Sequence, residues 1–190
     1  MGKIREQYGP LLESIAFAAR AHKGQLRKDR RTPYVSHVVR VCFVVRHVFG
    51  CDDLQVLMAA ILHDTIEDTT TDYDDLRELF EDPNSPVAEW VALLSKDKRM
   101  PEPAREARYQ EALATAPWPV KLCKLADLFD NLLDSEHLPP DKRAKLLRRS
   151  SEVLQVLMDS GLEPESAEKE QIHQRAVHFV QDLISEVGTL

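Results

Sequence analysis

Residues 56–68 read VLMAAILHDTIED, seven consecutive apolar residues that run straight into a histidine and three acids with no glycine or proline between them. Such a run predicts one continuous helix over about 52–68, with Asp52 and Asp53 as caps at its start, and the rest of the chain reads as support for it. At about 100° per residue His63 stacks over Glu67 and Asp64 over Asp68, which sets two carboxylates on one ridge. Like charges so placed repel by a few tenths of a kcal/mol when exposed, and a buried unpaired carboxylate costs several kcal/mol. Acids near a helix C-terminus also oppose the macrodipole. Either something cationic sits against this stretch, a metal or a basic side chain, or the stretch is a solvated acidic helix end.

The remaining elements are helical too. Residues 4–22 carry Leu11, Leu12, Ile15, Ala16, Ala18 and Ala19 at helical spacing, with Gly24 as a C-cap. After a basic loop and Thr32-Pro33, residues 35–49 repeat the period, closed by Gly50, with His37 in the first turn. Thr69-Thr70-Thr71 stops the third helix, and Thr71 with Asp74 makes a capping-box-like start for a short helix to Phe80. EDPNSP is a turn, and Pro86 suits the first position of a helix to about Lys96. KDKRMPEPA reads as a loop, 103–116 as a charged helix and 118–133 as a strongly apolar one. Pro139-Pro140 opens a helix through Met158 with five basic residues outward and Gly161 as its end, and 165–187 forms a last amphipathic helix. With no β alternation and no internal repeat, the expected fold is all-α: a single-domain bundle of eight to ten helices spanning 1–190.

A chain of 190 residues buries about 70% of the surface its unfolded form exposes, without staples. Cys42, Cys51 and Cys123 lack any CxxC spacing and lie beside apolar residues, which fits reduced, buried thiols and a cytoplasmic location. No apolar leader and no run of membrane-spanning length are present, so no membrane partner is expected. A net charge of −7 argues against a broad nucleic-acid face. A small anion needs only a local patch, and KGQLRKDRR at 23–31 offers one; its other reading is a solvated loop.

Four residues from three separate helices stand out: His37, the His63-Asp64 pair, and Asp127, the last a carboxylate inside the apolar KLADLFDN. Singly, each is open to a structural reading. Buried together they need a partner, and one divalent ion satisfies all four. Two imidazoles and two carboxylates suit Mn²⁺, with Fe²⁺, Zn²⁺ or Co²⁺ as alternatives, and the absence of cysteine ligands argues against structural zinc.

The order H…HD…D resembles the HD phosphohydrolase superfamily, helical metal-dependent enzymes that cleave phosphoesters. AHKGQLRK at 21–28, TPYVSH at 32–37, AAILHDTIEDT at 59–69 and KLADLFDN at 124–131 resemble, in order and spacing, the hydrolase domain of the Rel/Spo homologues over about 16–158. That family removes the 3′-pyrophosphate of the alarmone (p)ppGpp. With no synthetase domain after residue 190, the chain resembles the stand-alone small alarmone hydrolases, metazoan members included. The resemblance implies His37, His63, Asp64 and Asp127 as ligands of one Mn²⁺. It implies Glu67 and Asp68 as the catalytic pair, and Arg27, Lys28 and Asn131 as nucleotide contacts.

Three positions depart from the family pattern. Val38 follows the first histidine in place of proline, Leu128 replaces a common basic residue, and Asp130 stands where an aromatic or histidine is usual. A lost cation and a gained acid near the pocket are expected to weaken binding of a highly charged nucleotide, with Arg30 and Arg31 as compensation. Two other readings follow: an HD phosphohydrolase of another nucleotide such as NADPH, and a non-catalytic alarmone-binding module.

Overall fold

The structure is a computed structural model, and it describes residues 2–80, 84–160 and 166–189. Ten α-helices are present among these residues: α1 (Lys3–Ala21), α2 (Val35–Phe43), α3 (Leu54–Leu62), α4 (Thr65–Asp68), α5 (Tyr73–Leu79), α6 (Val87–Leu94), α7 (Glu102–Thr115), α8 (Trp118–Leu133), α9 (Pro140–Asp159) and α10 (Ala167–Gly188). Among the described residues no strand is formed, only an isolated antiparallel bridge between Leu26 and Pro33 that closes the basic loop. The all-α expectation holds. No described helix is long and apolar enough to cross a membrane.

The apolar run lies at the centre. All seven residues of 56–62 are buried, and α3 packs against α1, α2, α6 and α8. A helix apolar on every side is stable only when other helices surround it. Asp53 caps it, accepting from the backbone N–H groups of Gln55 and Val56 at 2.9 and 3.4 Å. Asp52 is not a second cap; it faces solvent near Arg46.

The expected continuous helix over 52–68 is broken. Helix α3 ends at Leu62, His63 and Asp64 form a turn, and a single helical turn, α4, resumes at Thr65. The cause is local. His63 Nδ1 bonds the Ala60 carbonyl at 2.8 Å and Thr65 Oγ1 bonds the Leu62 carbonyl at 2.7 Å, side-chain bonds that compete with the helical ladder.

Other boundaries shift as well. The capping box before α5 is formed by Asp72 and Asp75, one residue later than Thr71 and Asp74, because Thr71 N–H is taken by Thr69 Oγ1. Pro86 is the cap of α6 rather than its first residue, and α6 ends at Leu94, short of Lys96. In α1 the packed face holds Leu11, Ile15 and Ala18, while Leu12 and Ala19 face solvent. His22 is the cap there, with Gly24 two residues beyond at φ +81°. Gly161 and Glu165, and the start of the EDPNSP turn, lie outside the described residues.

Helix α2 continues as a π-helical segment, Val44–Phe49, before Gly50 turns the chain at φ +86°. Arg175 of α10 reaches in to bond the Phe49 carbonyl at 3.1 Å, and a Cβ at Gly50 would lie 2.6 Å from its Nη1. The positive φ is what favours glycine, since the Arg175 guanidinium is the end of a flexible side chain that could move aside. The result positions the site: α2, α3 and α8 pack mutually, and their chemistry-bearing residues face a common space.

Candidate metal centre

The turn after α3 aims His63. A carbonyl can only accept, so the bond to Ala60 fixes the proton on Nδ1 and leaves Nε2 bare in the neutral ring. That Nε2 is buried with no hydrogen-bond partner; Asp64 Oδ2 is 3.1 Å away but out of hydrogen-bond alignment. Helix α2 supplies His37 in its first turn, almost wholly buried. Its Nδ1 meets Asp130 Oδ2 at 2.6 Å, and its Nε2 faces Asp64 Oδ2 at 3.4 Å and Asp127 Oδ1 at 3.3 Å. Ligand-capable atoms of His37, His63 and Asp64 all lie within 4.8 Å of one another.

Asp127 stands beside this group, its Oδ1 3.7 Å from His63 Nε2. Two neighbours on α8 hold it: Lys124 donates to Oδ2 at 2.7 Å and Asn131 Nδ2 to Oδ1 at 2.5 Å, at the i−3 and i+4 positions of one helix face.

The electrostatics fit a cation. Burial opposes charge on each member, yet its effect is overridden. His37 is pushed up to about 9 because its hydrogen bonds to Asp127, Asp130 and Asp64 outweigh burial, and His63 rises likewise through Asp64 and Asp127. Asp64 and Asp127 sit well below the usual carboxylate range, Asp64 through the imidazoles and Asp127 through Lys124 and the imidazoles. Carboxylates that favour a positive charge on two buried imidazoles would also favour a divalent ion there in place of the protons. The mixed N/O donor set and the orphaned Nε2 of His63 therefore fit a divalent metal.

The two acids after the turn diverge. Glu67 Oε2 accepts from the Lys96 backbone N–H at 3.0 Å, and burial raises its pKa above the ordinary value. Asp68 is held by the Tyr34 hydroxyl at 3.1 Å and by the Lys98 ammonium, which makes a close ion pair with it. The same Tyr34 hydroxyl lies 2.6 Å from Asp64 Oδ2, so one tyrosine ties the two carboxylates together. A cleft of about 370 Å³ opens beside them, lined by Lys28, Tyr34, Glu67, Lys96, Lys124 and Asn131 among others.

Within the basic run the residues separate. Arg27 is buried, its guanidinium spent on Asp134 at 2.9 Å and Asn131 at 3.1 Å and lying over the Tyr34 ring. Lys28 lines the cleft, and its pKa is lowered by burial and by Arg27. Arg30 and Arg31 point outward, away from the cleft lining, so they do not compensate there. Asp29 shapes this turn by accepting from the N–H groups of Arg31 and Thr32, both at 2.9 Å.

The expected acid in the pocket is also corrected. Asp130 is buried and does not line the cleft; Arg40 covers it with two hydrogen bonds at 2.7 and 3.0 Å while it holds His37. Leu128 is buried in the core, on the face of α8 away from the cleft, so no cation is missing from the cleft there. Lys124, one turn before Asp127, supplies a cation that the sequence reading passed over. Tyr34, Lys96, Lys98 and Arg40 were passed over too. Lys124 and Tyr34 stood inside the quoted stretches KLADLFDN and TPYVSH, at helical spacing from Asp127 and His37, whereas Lys96, Lys98 and Arg40 carried no local signal.

Known proteins resemble this chain in sequence and fold. The family model described as "HD domain" matches residues 14–159. A guanosine-3′,5′-bis(diphosphate) 3′-pyrophosphohydrolase MESH1 of Homo sapiens is 39% identical over 132 residues, covering 69% of this chain and 72% of that protein; the Danio rerio protein of the same name is 37% identical over the same shares. A bifunctional (p)ppGpp synthase/hydrolase SpoT of Escherichia coli is 29% identical over 96% of this chain and 24% of its own length. Among solved structures, a metazoan ortholog of SpoT that hydrolyzes ppGpp superposes with a TM-score of 0.77 at 28% identity, covering 95% of this chain and 97% of that one.

Proposed function

The chain belongs to the HD-domain family and is a relative of the MESH1 pyrophosphohydrolases, and from that premise we propose that it removes the 3′-pyrophosphate of (p)ppGpp to give GDP or GTP and pyrophosphate. The observation that carries this reading is the meeting of the His37 and His63 imidazoles with Asp64, the His63 Nε2 without a hydrogen-bond partner, beside a cleft lined by lysines. His37, His63, Asp64 and Asp127 would hold one divalent ion, with Mn²⁺ as the first choice. The bound ion supplies Lewis acidity, which lowers the pKa of water from 15.7 toward about 7.

The chain's own residues account for the rest. In the reaction a bond forms between a water oxygen and the phosphorus attached to the ribose 3′ oxygen, and the bond from that phosphorus to the 3′ oxygen breaks. The water proton must leave and the 3′ oxygen must gain one. Glu67, whose pKa burial brings nearer to neutrality, is suited to take that proton and deliver it. Asp68, fixed by Tyr34 and Lys98, orients the water. Lys28, which makes no ion pair among the described residues, meets phosphate charge, with Lys96 and Lys124 along the cleft wall. Asn131 and Arg27 hold the wall in place through each other and through Asp127 and Asp134.

The test is an assay of the metal-stripped protein on ppGpp, pppGpp and NADPH, with and without Mn²⁺. Pyrophosphate release from the alarmones only when Mn²⁺ is added is the expected result. Absence of ppGpp turnover with Mn²⁺ bound overturns the reading, and turnover of NADPH alone transfers the centre to a phosphatase.

A further inference from the structure

Asp130 lies outside the lining of the cleft, which makes no use of it. Its surroundings are nonetheless fully organised. Oδ2 meets His37 Nδ1 at 2.6 Å, Oδ1 accepts from Arg40 Nε at 2.7 Å, and Arg40 Nη2 reaches Oδ2 at 3.0 Å. Arg27 Nη2 comes within 3.8 Å of the same oxygen, and Asp134 then ties Arg27 and Arg40 together at 2.9 and 3.5 Å. The chain of contacts runs from the outside of the bundle to the ring of His37, with the carboxylate 4% exposed and the Arg40 side chain 41% exposed.

An acceptor on Nδ1 has a definite effect on the far side of the ring. It holds the proton on Nδ1 in the neutral imidazole, leaves the Nε2 lone pair free, and raises that nitrogen's basicity as a ligand. His63 has the same arrangement, with the Ala60 carbonyl as acceptor. The two rings thus present Nε2 to the same point by two different devices, one a backbone carbonyl and one a carboxylate clamped by arginine. A free carboxylate at this depth would be costly, and Arg40 offsets its charge.

We propose that Asp130, clamped by Arg40, is a positioning residue that sets the orientation and tautomer of His37 and through it the affinity of the centre for its metal. This rests on the metal reading of the His37 cluster and not on the identity of the substrate.

The test is metal affinity, measured by calorimetric titration of the metal-stripped protein with Mn²⁺, with circular dichroism on each variant to count folded protein. Asp130→Ala should weaken Mn²⁺ binding by about 10–100-fold, the range that outer-shell partners of ligating histidines contribute. Asp130→Asn keeps an oxygen for Nδ1–H and should recover most of that loss. Arg40→Met, at a half-exposed side chain the fold tolerates, should lower affinity in the same direction by less. In the Zn²⁺-loaded protein, nitrogen NMR of His37 should show protonated Nδ1 in the wild type and lose that single state in Asp130→Ala. Equal Mn²⁺ affinity of wild type and folded Asp130→Ala, or of Asp130→Asn and Asp130→Ala both at the weakened value, overturns the proposal. Wild-type protein that binds no divalent ion overturns the metal reading beneath it as well.

Discussion

Two regions of this molecule are both built from ionisable residues of opposite sign and behave oppositely. Around His37 an arginine, a histidine and several aspartates are buried between α2, α3 and α8, with Asp130 4% and His37 1% exposed. Along the outer edge, Glu102 of α7 faces Lys145 and Arg149 of α9, three side chains 38–49% exposed. At the edge water screens each charge, so the pairing contributes about 0–1 kcal/mol. In the centre no water substitutes for a missing partner, and a group removed leaves an uncompensated charge worth about 3–5 kcal/mol. Charged residues in this chain therefore carry information only where the bundle has dried them.

The contrast is broken most severely at the centre. Asp64→Ala should abolish Mn²⁺ binding in a calorimetric titration and lower turnover by on the order of 10³-fold or more, since the ion supplies several kcal/mol of charge stabilisation. Glu67→Ala should leave Mn²⁺ affinity near wild type while turnover falls by about 10²–10⁴-fold, the usual range for a proton-transfer residue. Equal metal loss in the two variants would overturn the division of roles between Asp64 and Glu67.

A buried group outside the centre sharpens the comparison with a pH dependence. Burial against Lys121 of α8 holds His173 of α10 down to about 4 from its ordinary 6.5. The folded ring stays neutral while the unfolded chain binds a proton below 6.5, so the unfolded state binds more protons between 6.5 and 4. Stability should accordingly fall as pH drops through that window and level off below it. The loss is about 3–3.5 kcal/mol, at about 1.4 kcal/mol per pKa unit. His173→Asn, followed by urea midpoints from pH 7 to pH 4, should remove about that much of the acid lability; an unchanged slope would show that His173 is not the group responsible.

The smallest effect belongs to the edge. Glu102→Ala separates α7 from its two cations on α9 and should shift stability by less than about 1 kcal/mol, with no change in Mn²⁺ affinity. A change of several kcal/mol at Glu102 would erase the distinction between the two regions.

The residues themselves point to the interior position of His63 and Asp127, for a physical reason. His63 and Asp64 directly follow seven apolar residues, and Asp127 interrupts another apolar helix, so any of these polar groups that the bundle buries needs a partner. Period and punctuation likewise determined the all-α class and placed most helices within a few residues, because helical spacing of apolar side chains is a local property. What sequence alone misread was the role of local side-chain bonds and of distant partners. The continuous helix over 52–68 failed because His63 and Thr65 bond the carbonyls behind them. Asp130, read as an acid that weakens substrate binding, instead bonds the His37 ring, because Arg40, ninety residues earlier on a different helix, stands over it. Lys96 offers Glu67 its backbone N–H from 29 residues away, and Tyr34 joins Asp64 to Asp68 from 30 away.

The sequence by itself thus determined which elements form, which polar residues must be buried among them and what class of chemistry their side chains can perform. The tertiary structure alone decided which nitrogen of each histidine is left bare, which carboxylates are neutralised by arginine or lysine, and which cations reach the cleft. Those outcomes depend on partners brought together by packing across α2, α3, α6 and α8, and no local pattern encodes the distance between them.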